Sequence, residues 1–275
     1  MRAPILSAVG EAARRGDEPR FLAALFAPPA RREALFALLA FNLELSKIPA
    51  TVSEPILGEI RLAWWREALD DLFERDIVRG HEVIAALDAA RGAAALDHGA
   101  LVAMVDARLY ALTPGGIEDT AALGAYLGGT GGALVGSLVR ALGGDAAAVE
   151  VAALAGRAEA TGRLIAALPE IIANGGDAHL TAGLDMNALR EGRTPAALSD
   201  ALRGLAEDGL ARLGAARARR REVPRAMRAP LFSVHVAERV LISATKPGFD
   251  PFGYEETSPF RARVELLARA AAGRF

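Results

Sequence analysis

AFNLELSKIPATVSEPILGEIRLAWWREALDD, residues 40–71, is the most densely specified stretch of the chain. It holds both tryptophans, Trp64 and Trp65, among charges at Glu54, Glu59, Arg61, Arg66, Glu67, Asp70 and Asp71. Ser53 or Glu54 reads as an N-cap, and Pro55 falls in the first turn, where its missing N–H costs nothing. Ile56, Ile60, Trp64 and Leu69 recur near helical spacing, which predicts a helix over 55–75 with Ile60, Trp64 and Leu69 facing the core. Arg61 and Trp65 stand four apart, so the guanidinium can lie over the indole. Glu54, Glu59, Arg61, Trp65 and Arg66, with Glu44 upstream, then form a polar–aromatic set fit to bind a ligand or partner. Arg and Trp are the residues that most often dominate such contacts. The plainer alternative is that the tryptophan pair fills core.

Working outward, the spacing predicts a helix over 30–47, ended by Pro49, which cannot supply the next backbone N–H. Residues 1–20 are charged and read as peripheral, frayed or a short helix. Residues 120–139 carry no charge and are long enough to span a bilayer. They also carry Gly124, Gly128, Gly132 and Gly136, a four-residue repeat that lays the glycines along one helix face. Six glycines lower the hydrophobicity below that of a leucine-rich span. The reading is therefore a bundle helix whose glycine face receives a neighbouring backbone, and a leucine at Gly128 or Gly132 is expected to overpack it. A long helix follows over 145–172, closed by Asn174-Gly175-Gly176. Two further helices cover 195–221 and 260–272.

No strand signal appears, and no composition shift marks a boundary. The expected fold is all-α, one helical domain over 1–275. With 52% hydrophobic residues the chain can bury a large core. A net charge of −2 gives no basic face for nucleic acid. The one basic run, ARARRR at 216–221, ends a helix or meets a membrane surface. Without cysteine there is no thiolate metal site, disulfide or thiol catalysis. The four histidines lack ligand spacing, and no phosphate-binding loop or nucleophile elbow is present. Residues 1–20 lack the apolar core of a signal peptide, so the expected location is cytoplasmic.

FLAALFAPPARREALFALLAFNLEL at 21–45, VSEPILGEIRLAWWREAL at 52–69 and the C-terminal GFDPFGYEETSPFRARVELL resemble the squalene/phytoene synthase family. The resemblance implies the isoprenoid-synthase helical bundle with a central cavity. An active member joins two prenyl diphosphates head to head, using Mg²⁺ held by two facing aspartate motifs. The first motif would place its aspartates at Ser46 and Ala50. The second, in GRLIAALPEIIANGG, would place them at Glu170 and Asn174, with Pro169 where the family has a basic residue. Neither Ser46 nor Ala50 can bring a negative charge to a metal. The chain looks most like a branch without these motifs, one that includes the mitochondrial assembly factor of respiratory complex I.

That resemblance implies a non-catalytic binding or assembly factor without a cofactor. Its partner would be a respiratory-chain protein or an isoprenoid lipid, with peripheral contact at the inner membrane. A prenyltransferase using Mg²⁺ is the alternative, and a quinone or isoprenoid carrier a further one.

Overall fold

In a computed structural model the structure describes residues 6–52, 54–112, 119–173, 184–255 and 257–275. The elements in order are α1 (Ala8–Gly16), α2 (Glu18–Ala24), α3 (Arg32–Thr51), α4 (Pro55–Glu74), α5 (Glu82–Arg91) and α6 (His98–Ala107). Then come α7 (Thr120–Leu127), a π-helical turn (Gly128–Gly132), α8 (Ala133–Ala141), α9 (Ala146–Ala173) and α10 (Met186–Arg190). The chain closes with α11 (Ala196–Ala218), α12 (Val234–Ala244) and α13 (Pro259–Ala272). Among the described residues there is no strand. Short acidic and hydroxyl side chains set the helix starts. Ser7, Asp17, Asp97, Asp119, Asp145 and Ser258 each accept a first-turn backbone N–H.

Two helices organise the bundle. α9 packs against α8, α11 and α12, while α3 packs against α1, α5 and α8. One connected hydrophobic core runs from Val9 to Phe275. By length and composition α3 and the α7–α8 rod are each apolar enough to cross a membrane, but 61% of either window is buried inside this bundle. An all-round apolar helix is what the centre of a large core requires.

Several sequence expectations change register in the structure. Pro49 does not end α3, which continues to Thr51. The proline falls in the last turn, where the Thr51 hydroxyl donates back to the Lys47 carbonyl at 2.9 Å. In α4 the inward face is Gly58, Leu62, Trp65, Ala68, Leu69 and Leu72, whereas Ile60 is 59% exposed and Ile56 lies in solvent too. Leu69 is buried as expected and Trp64 is half-buried, but the buried stripe includes small residues, so ranking by hydrophobic bulk misplaced Ile60. Gly58 shows why small is needed there, since a Cβ would lie 2.6 Å from Leu112.

The glycine helix is also reset. The π turn inserts one extra residue over Gly128–Gly132, which breaks the four-residue stripe. Gly128 has nothing closer than 3.8 Å to a built Cβ, and its neighbour is the Arg157 side chain. Gly132 is tighter, with Arg157 Cγ at 3.0 Å. The Ala153 carbonyl oxygen of α9 also lies 3.2 Å from that Cβ, so the expected backbone approach holds at Gly132, and it is closest at Gly131 against Gly156 of α9. Overpacking at Gly128 is therefore not expected.

Candidate functional site

Four of the sequence-predicted residues, Glu44, Ser46, Arg61 and Trp65, line one or other of two clefts that share α3. Glu44, Lys47, Ile48, Thr51, Arg61, Trp64, Trp65 and His81 line an outer cleft of about 380 Å³. Glu44 is half-exposed and pairs with Lys47 at 2.6 Å. Arg61 donates to the Thr51 hydroxyl at 3.1 Å rather than covering Trp65. The cation over an indole is Arg79, 5.8 Å from the Trp64 ring. Trp65 is core, 5% exposed, edge-on to Phe41 with centroids 5.4 Å apart and to His81 at 4.8 Å.

Glu54 and Glu59 lie exposed outside this cleft, as does Arg66, which pairs with Asp106 of α6. Glu54 is the α4 N-cap by backbone geometry without a side-chain capping bond. Ser53 lies outside the described residues. The structure thus brings together three of the six proposed binding residues.

Trp65→Ala is accordingly expected to destabilise the fold by about 3 kcal/mol, the cost of emptying a buried indole. Arg61→Ala should leave stability within about 0.5 kcal/mol, as surface changes usually do. Thermal melts of the two variants side by side check this, and a Trp65→Ala protein melting like wild type would refute the core assignment.

The second cleft, about 320 Å³, lies at the centre of the bundle between α1–α3, the α7–π turn and α9. Its polar wall is Asp17, Arg20, Asn42, Ser46, Arg108, Tyr126 and Arg163. The sequence reading missed most of it. Asp17 and Arg20 belong to a segment read as peripheral, yet they are 5% and 6% exposed. Arg20 Nη1 donates to Asp17 at 2.9 Å, and its Nη2 donates to Glu159 of α9 at 3.0 Å. Arg163 bridges the same two carboxylates, at 2.9 Å to Asp17 and 3.4 Å to Glu159. The Ser233 hydroxyl, just ahead of α12, completes Glu159 at 3.1 Å.

Burial alone would push the Asp17 carboxyl up, but the adjacent Arg163 and Arg20 guanidiniums outweigh it and hold it below the ordinary range. The same pair of carboxylates holds Arg163 firmly protonated against its burial. One signal was available: Glu159 and Arg163 are an i,i+4 pair in an alanine-rich helix.

The degenerate metal positions do not rebuild a cation site. Ser46 lines the cleft, but its hydroxyl donates to the Leu43 carbonyl at 2.8 Å. Ala50 and Glu170 are exposed and line neither cleft, and Asn174 lies outside the described residues. Asp17, the one carboxylate among the described lining residues, is already spent on two arginines. A separate group, Asp70, Glu74 and His98, brings ligand-type atoms within 4.8 Å of one another, but it lines neither cleft.

The profile of the squalene/phytoene synthases matches residues 13–269. The chain belongs to the squalene/phytoene synthase family. Among solved structures, a dehydrosqualene synthase in complex with ligand superposes with a TM-score of 0.79 at 17% identity, covering 96% of this chain and 94% of that one. The squalene synthase HpnC from Alicyclobacillus acidocaldarius gives 0.71 at 15% identity, covering 85% and 90%. These likenesses show the isoprenoid-synthase fold.

Among curated proteins, NADH dehydrogenase (ubiquinone) complex I, assembly factor 6 of Bos taurus is 38% identical over 63 residues, 23% of this chain and 19% of that protein. The Homo sapiens protein is 35% identical over the same length, and the Drosophila melanogaster homolog 36% over 66 residues. The match thus spans about a fifth of those relatives' length. As a member of the synthase family the chain would be expected to hold Mg²⁺ between facing carboxylate clusters. The described cleft residues do not fit that ion: guanidiniums occupy the wall, the first-motif positions carry Ser46 and Ala50, and Glu170 of the second lies outside the cleft.

Proposed function

We propose that this squalene/phytoene synthase-family chain is non-catalytic and acts as a binding or assembly factor for respiratory complex I, at the inner face of the membrane. The observation that carries the reading is the electrostatics of the central cleft. Head-to-head prenyl transfer needs metal to neutralise departing diphosphate. Here the first motif has lost both carboxylates, and Asp17 is neutralised by two arginines. The partial likeness to complex I assembly factor 6 supports the choice of partner. The apolar remainder of the cleft leaves room for an isoprenoid or quinone as ligand.

Two measurements test the proposal together. Purified protein given farnesyl diphosphate and Mg²⁺ is expected to form no condensed product above a no-protein control. Product that disappears with chelator would establish the prenyltransferase alternative instead. In cells deleted for the gene, assembled complex I should fall and be restored by the wild-type chain. Unchanged complex I in the deletion would remove the assembly role.

A further inference from the structure

Among the described residues, the charges around the central cleft do not balance. Three guanidiniums, from Arg20, Arg108 and Arg163, meet two carboxylates, Asp17 and Glu159. Arg20 and Arg163 use both carboxylates between them. Arg108 has none within ion-pair distance among the described residues. One of its Nη groups donates to the neutral Asn42 Oδ1 at 3.0 Å, and its Nε is buried without a hydrogen-bond partner.

Burial lowers the proton affinity of Arg108, a side-chain hydrogen bond and charge interaction with Tyr126 oppose that fall, and Arg20 adds to it as a second cation. Arginine stays charged under such pressure. A largely desolvated cation without a carboxylate partner among the described residues is an unfavourable arrangement that a bound anion would relieve. Ser46 and Thr130 add two hydroxyls to the wall, and its apolar part includes Leu43, Leu127, Leu164, Ala167 and Ile171. The volume of about 320 Å³ lies at the small end for ligand clefts.

We propose that the central cleft binds an oxyanion, a phosphate monoester or carboxylate, directly on Arg108 and without a metal, the apolar wall accepting a short tail. The planar guanidinium fork suits such a group in two-point contact. The proposal rests on the reading that this cleft is not a metal-dependent active site. It inverts that chemistry: where the family places carboxylates to hold a cation, this chain presents a cation to hold an anion.

Titration calorimetry of the full chain in EDTA tests it, with inorganic phosphate and monooctyl phosphate as the two probes. Both should bind, and added Mg²⁺ should not strengthen binding. Tighter binding of the octyl ester assigns the site to an amphiphile's head group, and equal affinity assigns it to free phosphate. Arg108→Gln should weaken either probe by roughly tenfold or more, the size of one charge-assisted contact. Leu164→Trp, which fills the apolar wall, should weaken the octyl ester alone if the tail lies there.

Absence of binding to the wild-type chain in EDTA would overturn the proposal, as would binding that appears only with Mg²⁺ or full affinity in a folded Arg108→Gln protein. These outcomes are separable from the condensation assay. Product formation would refute the non-catalytic reading, whereas chelator-resistant binding reports on Arg108 itself.

Discussion

Glu159→Ala is expected to lose about 3–5 kcal/mol of folding stability, the usual penalty for breaking a buried ion pair from one side. Glu159 is 1% exposed and accepts from Arg20, Arg163 and Ser233. Its removal leaves Arg20 buried with Asp17 alone and strips Ser233 of its carboxylate. Urea denaturation at neutral pH reads the loss directly, and a change below about 1 kcal/mol would show that the network contributes little.

Acid should act through the partner carboxylate. Asp17 is held below its ordinary value in the folded state, so it adds stability above its unfolded value. That contribution is lost as pH falls through the lower, folded value. The urea midpoint should therefore drop below the ordinary aspartate range, and Asp17→Asn should flatten that drop.

An ion network of this kind is weak evidence for stability as such, since apolar replacements of whole networks are often neutral. Its geometry suggests what it adds. Asp17 and Arg20 lie at the α1–α2 junction, Glu159 and Arg163 on α9, and Ser233 just ahead of α12. Three separate parts of the chain are thereby held in one register around the cleft wall that presents Arg108.

How much of this was legible depends on what each residue type signals by itself. The all-α class and the central helices follow from long apolar runs with few β-branched stretches, and those runs are buried as expected. The α4 face followed only in part, because Gly58 and Ala68 are inward for closeness, which hydrophobic ranking undervalues. The cleft was half-legible. Loss of metal ligands shows at Ser46 and Ala50, where a missing carboxylate is visible in one position. The arginine wall needs three separate segments, carrying Arg20, Arg108 and Arg163, to meet in space, and Arg20 reaches Glu159 across 139 residues of chain. Nothing local distinguishes Arg108 from a solvated arginine until the cleft closes over it.

Gly131→Leu is expected to be at least as damaging, with a loss of more than about 3 kcal/mol or no folded protein, beyond the common range for overpacking. A Cβ built on Gly131 would lie 2.3 Å from the Gly156 carbonyl oxygen and 2.5 Å from the Ala160 Cβ. The converse holds too, since a Cβ on Gly156 would lie 2.3 Å from the Gly131 oxygen. Two backbones touch there, so no rotamer change relieves the clash. Gly128→Leu, three residues earlier in the same π turn, meets only the Arg157 side chain and should melt within a few degrees of wild type, about 2–4 °C per kcal/mol for a chain of this size.

The contrast isolates backbone contact from the general effect of replacing glycine in a helix. It also bears on function. Tyr126, Leu127, Thr130 and Gly131 all line the central cleft, a placement set by the extra residue of the π turn. Circular dichroism and thermal melts of both variants decide the matter. A Gly131→Leu protein as stable as the Gly128→Leu protein would mean that the backbones of the π turn and α9 do not meet, and that the turn does not set the cleft wall.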